Sequence, residues 1–148
     1  MLGAIRPDSW NLPLFVHALG AMILFGATAT VAIAGFAART RREHAELLAR
    51  VELKTFLFAI IPSWIAMRVG AGWIEGKEFP NGDEPGWLSV GFAVSEGGAL
   101  LLIALGILAW VSIRRHGIGR AAGAVPVLAG IYVIALGIAW WAMSAKPG

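Results

Sequence analysis

The stretch LKTFLFAIIPSWIAMRVGAGWI, Leu53 to Ile74, decides how the rest of the chain is read. Its apolar run has the ~20-residue length that carries a helix across the ~30 Å hydrocarbon core of a bilayer. Two residues resist that reading. Pro62 has no backbone N–H and frees the carbonyl of Phe58 one turn earlier, which predicts a kink. Arg68 places a charge in the second half of the run, where an ion needs a partner, a cavity or the interface.

Outward from this stretch, Leu12 to Ala38, Trp87 to Ile113 and Ala121 to Met143 are apolar runs of the same class. At 148 residues, 58% hydrophobic and 14% charged, the chain has no room for a separate soluble domain. The expected fold is all-α: one domain, an up-down bundle of four transmembrane helices. Pro13 suits the first turn of the first helix, with Asn11 or Ser9 as candidate caps. That run exceeds a signal-peptide core and lacks a strong basic leader, so it is expected to stay in the mature protein. Gly123, Gly130 and Gly137 recur at heptad spacing, and their shared face is expected to approach a neighbour closely, a route to a homodimer.

Charge gives the orientation. Arg39, Arg41, Arg42, Arg50, Lys54, Arg114, Arg115 and Arg120 flank the first and third connections, against Arg6, Lys77 and Lys146 on the other side. Basic residues mark the cytoplasmic side, so both termini are expected to be extracytoplasmic in a bacterial inner membrane. The central loop EGKEFPNGDEPG is acidic and turn-rich, in keeping with that placement. Trp10, Trp73, Trp87, Trp140 and Trp141 fall at the outer ends of the four runs as an aromatic belt. The segment RTRREHAELLARVELK has helical spacing with Leu47, Leu48 and Val51 on one side, which reads as a solvated extension of the second helix.

Several chemistries fall away. The chain has no cysteine, which removes disulfides, thiolate metal sites, iron–sulfur ligation and thioether-linked haem. The basic pI of 10.0 comes from residues beside membrane runs, so nucleic acid is not the expected partner. No phosphate loop follows a strand, and no serine has a base and an orienting acid, so the sequence leans away from an enzyme.

The polar groups inside the runs carry the functional reading. Counting inward from the tryptophans at 1.5 Å per residue, His17, Arg68, Glu96 and Tyr132 lie at about 7–13 Å depth. Each helix supplies one. Convergence of all four on the interior is the expected arrangement, with Arg68 and Glu96 as an ion pair. Trp64, inside the belt, completes the candidate cofactor-binding set. His17 is the single histidine of the runs and the candidate metal ligand, either to haem or, with Met22, Met67 and Met143, to Cu(I). The methionines read more simply as gap-fillers, and Glu75, Glu78, Asp83 and Glu84 as a solvated acidic loop.

The runs PLFVHALGAMILFGA, MRVGAGWIEGKE, PGWLSVGFAVSEGGALLL and AWWAMSAKP resemble small bacterial four-helix integral membrane proteins of unknown function. The His-Ala-Leu-Gly pattern is similar, more weakly, to copper-resistance D-type proteins and to four-helix haem-binding protoporphyrinogen oxidases. The latter resemblance implies haem ligation by His17 or around Trp73 to Lys77, with Glu75 where that pattern leads to histidine. The function expected first is a membrane binding module, or subunit of a membrane redox or transport assembly, that holds haem b or a quinone in the outer polar layer. The competing readings are a structural or assembly protein whose Arg68–Glu96 pair fixes helix packing, and a copper-handling or small-solute transporter.

Overall fold

A computed structural model describes residues 8–78 and 86–145. Four of its helical segments are long and apolar enough to cross a membrane, and no strand occurs among the described residues. The bulk of the acidic central loop, Arg6, Lys146 and the Trp87 and Glu78 side chains lie outside what is described.

Helix α1 runs Asn11–Thr40 after a 3-10 turn at Asp8–Trp10. Trp10, rather than Asn11 or Ser9, holds the N-cap position, with no side-chain cap hydrogen bond of its own. Pro13 sits in the first turn, where its missing N–H costs nothing. After a 3-10 turn at Arg42–His44, α2 spans Ala45–Thr55 and continues through a π-helical turn, Phe56–Ile60, into α3, Ile61–Glu78. The strain expected from Pro62 takes this form. The helix widens in the turn before proline, and the N–H of Ile61 reaches back to the Phe56 carbonyl.

Helix α4, Gly86–Arg114, turns its buried face inward through Gly91, Ser95, Gly98, Leu102, Leu105, Ala109 and Ser112. That alternation of fours and threes is the seam of a left-handed bundle. Helix α5, Arg120–Ala145, buries Val125, Ala129, Tyr132, Leu136 and Ala139 on the facing side. The turn between them closes α4 with paired bonds, Gly117 N–H to Ser112 O at 2.9 Å and His116 N–H to Ile113 O at 3.0 Å. His116 takes the left-handed position, φ 53°, that glycine usually fills.

Helix α1 is the hub, packing along α3 and α5, while α5 packs on α4 and α2 on both α1 and α4. Helices α3 and α4 are not closely packed backbone to backbone. Close approach is made by glycines other than those expected. A Cβ on Gly20 would stand 2.5 Å from Met67 N, and one on Gly70 would stand 2.6 Å from His17 N, so α1 and α3 touch backbone to backbone. Gly130 and Gly137 meet nothing within 4 Å, and Gly123 meets the Arg39 guanidinium alone. They stand off the buried stripe of α5, half-buried, with Arg39 bonded to the Gly123 carbonyl.

On α2 the side that packs is not the leucine side. Its buried face is Ala45, Ala49 and Glu52, while Leu47 is 62% exposed and Val51 is exposed too. In a bilayer the outside is apolar, so large side chains face lipid and small alanines allow close packing. The other outward residues, Phe58, Met22, Leu100 and Ile33 among them, follow the same rule.

Candidate functional site

The predicted site residues lie on α1, α3, α4 and α5, and the helix pairing decides which of them meet. Where glycines bring α1 against α3, the His17 ring turns onto α3. Its Nδ1 lies 2.9 Å from the Met67 carbonyl. A carbonyl only accepts, so Nδ1–H donates and the lone pair of the neutral ring is left on Nε2. The tautomer is one that a metal-binding histidine adopts. No group of three or more histidines, cysteines and carboxylates gathers among the described residues. The glycine contacts on either side of His17 also leave no gap between α1 and α3 for a macrocycle.

Arg68 and Glu96 do meet, but at the edge of the bundle. The Nη2 to Oε1 distance is 3.2 Å, with the two side chains 31% and 66% exposed. The guanidinium lies 4.8 Å from the centre of the Phe92 ring, one turn before Glu96 on α4, and Gly72 leaves room for it along α3. The pair therefore bridges helices whose backbones stand apart, and it does so on the flank of the bundle. The expectation that Arg68 and Glu96 converge on the bundle interior is corrected here. Long side chains span the gap, and a carboxylate at this depth is left facing outward.

Trp64, one turn inside Arg68, makes the second bridge. Its Nε1–H donates to the Ser95 carbonyl at 3.2 Å. Tyr132 comes from the far side and lies flat against Gly98, where any Cβ would strike its ring. It is 1% exposed, and its hydroxyl finds no partner among the described residues. The Ser95 hydroxyl, one helical turn from Gly98, is buried and unpartnered as well. The Ser112 hydroxyl, toward the basic end of α4, is buried and unpartnered too, and leaving a buried hydroxyl unsatisfied costs roughly 1–3 kcal/mol.

The four-residue layer thus resolves into separate parts. His17 belongs to the α1–α3 contact. Arg68, Glu96 and Trp64 border the seam between α3 and α4, together with Ser95 and Phe92, which the sequence reading missed, while Tyr132 packs from α5 onto Gly98, one turn along α4 from Ser95. Both had a signal: Phe92 and Ser95 precede Glu96 by four and one residues and sit on either side of the Trp64 and Arg68 contacts. At the rim, Lys77 lies 5.6 Å from the Trp73 ring centre and donates to the Ser9 carbonyl at 2.8 Å, tying α3 to the start of α1.

Compared with known protein families, curated proteins and solved structures, the chain matches none of them. The functional reading rests on its own geometry.

Proposed function

We propose that this chain is a small multi-pass membrane binding module, or subunit of a membrane redox or transport assembly, that holds an amphiphile bearing a carbonyl or carboxylate in the α3–α4 seam. A quinone suits the seam best. One observation carries the reading: the outward-facing Arg68–Glu96 pair joins α3 to α4 within a few residues of Ser95 and of the Tyr132 contact at Gly98, whose buried hydroxyls have no partner among the described residues. A ring carbonyl entering between α3 and α4 would accept from the Tyr132 or Ser95 hydroxyl. Its second carbonyl would accept from Arg68, whose fork has donors left beyond its contact with Glu96. Phe92 and Trp64 supply flat apolar walls, as small-molecule sites require. Glu96 holds the guanidinium in place.

The eight basic residues at one end favour a bacterial cytoplasmic membrane, with both termini and the seam toward the outside. The competing reading, an assembly role, has its own observation: an ion pair on a lipid-facing flank is as well covered by a partner helix as by a small ligand. Quenching of tryptophan fluorescence by a short-chain benzoquinone in detergent separates the two. Saturable quenching that weakens about tenfold in Arg68→Leu, and also weakens in Tyr132→Phe, is the result expected for a ligand hydrogen-bonded by both groups. Unsaturable quenching, unchanged in the variants, would leave the assembly role.

A further inference from the structure

The opposite, basic end of the bundle holds an acid that the outer seam does not use. Glu52 is 2% exposed and shares with Ala45 and Ala49 the face of α2 that turns inward. Its Oε1 lies against Gly35 of α1 and Pro126 of α5. A Cβ built on Gly35 would stand 2.8 Å from that oxygen and 2.8 Å from the proline ring.

No described residue makes a hydrogen bond or ion pair with the Glu52 carboxyl. Of the nearby charges, Arg42 is exposed at the border of a cleft at this end, and the others are engaged elsewhere or exposed. Arg39, one turn beyond Gly35, donates to the Gly123 carbonyl and lies over Phe36. On α2 itself, Arg50 pairs with Glu46, which also takes His116 from the α4–α5 turn, and Lys54 is exposed. The buried faces of α4 and α5 present Ala109, Ser112, Val125 and Pro126 at this end, none of which titrates.

Gly35 is also a wall of a cleft of about 230 Å³ at the basic end, bordered by Ala38, Arg39, Arg42, Gly119 and Ala122. The cleft has room for several waters, each needing ~30 Å³. It also has an acceptor to hold them, since Pro126 lacks the N–H that would bond the Ala122 carbonyl. A buried acid without a partner thus lies behind one glycine of a cleft that water can fill.

We propose that Glu52 is a proton-binding site of the bundle interior, loaded from the basic end through this cleft. The step is a transfer between the Glu52 carboxyl and a cleft water: the acid O–H breaks, a hydronium O–H forms, and the electron pair stays on the carboxylate. Nothing else reacts. Burial with no donor bonded to the carboxyl favours the neutral acid, because a carboxylate there has no partner to replace water. The proposal is independent of the outer seam.

Infrared spectroscopy of the full chain in lipid vesicles tests it. At neutral pH the wild type should show a protonated-carboxyl C=O band that is absent in Glu52→Gln and that shifts promptly on transfer to D₂O. Ala122→Phe, or Ala38→Phe if that variant does not fold, fills the cleft and should slow the shift severalfold. Should Glu52→Gln fail to fold, dicyclohexylcarbodiimide, which attacks protonated carboxyls in apolar surroundings, gives the readout on wild type. The adduct should map to Glu52 by mass spectrometry. A wild type with neither band nor adduct at Glu52, or a band that persists in Glu52→Gln, overturns the site. Equal exchange rates in the cleft-filled variants overturn the route.

Discussion

Gly20 and Gly70 set the distance between α1 and α3, and each is filled by the backbone of the other helix. A methyl group there meets Met67 N and Ser63 O, or His17 N and Cα, none of which can swing aside. Gly20→Ala and Gly70→Ala are therefore expected to destabilise by about 1–3 kcal/mol in detergent unfolding. Gly130→Ala meets open space and gains helix propensity, so it should be neutral or stabilising by up to ~1 kcal/mol. Equal losses at all three would mean that the Gly130 face of α5 is packed after all. The sequence made the heptad glycines of α5 the more conspicuous, because spacing within one helix is legible while the partner that fills a groove is not. The same limit applies to His17 and Tyr132. Their depth could be counted from the tryptophans, but their neighbours depended on which helices pair.

At the scale of elements, the four spans and the Pro62 disturbance could be read directly, since length, hydropathy and a missing N–H are local properties. The inward face of α2 could not. Burial in a bilayer follows size and polarity together, so the leucines turned out and the Ala45, Ala49, Glu52 face turned in. What anchors α2 to the α4–α5 turn is Glu46, which accepts from Arg50 Nη2 at 2.6 Å and pairs with His116 Nδ1 at 3.1 Å. Hydrogen bonds from Arg50 and then His116 hold the Glu46 carboxyl below its ordinary value of 4.5. A depressed acid contributes stability above its unfolded value and loses it as pH falls through the folded one. Thermal unfolding followed from neutral pH into acid should show a small extra loss below about pH 4.5 in the wild type. That loss should be missing in Glu46→Gln. A variant with the same acid limb would mean that the contact contributes nothing. The effect is small because the carboxylate is exposed to solvent.

At the scale of the whole molecule, hub helix α1 draws α3 and α5 together, α5 draws in α4, and the bundle closes at the basic end through α2 while α3 and α4 are held at the other by side chains alone. This asymmetry leaves a seam with Arg68 and Glu96, a few residues from two unpartnered hydroxyls, on one side of the membrane, and a buried acid behind a cleft on the other. The identity of the seam residues was largely present in the sequence as one polar group per helix. Their openness was not, because it comes from a gap between two helices that no single helix records. The seam is claimed to hold a quinone-like amphiphile, and the direct measurement is solvent extraction and mass spectrometry of the purified wild type beside the Arg68→Leu/Glu96→Leu pair. Bound quinone approaching one per chain in the wild type, lost from a double variant that keeps its helical content, is the result expected. A wild type free of quinone, or a folded double variant that retains it, would contradict the seam as a ligand site.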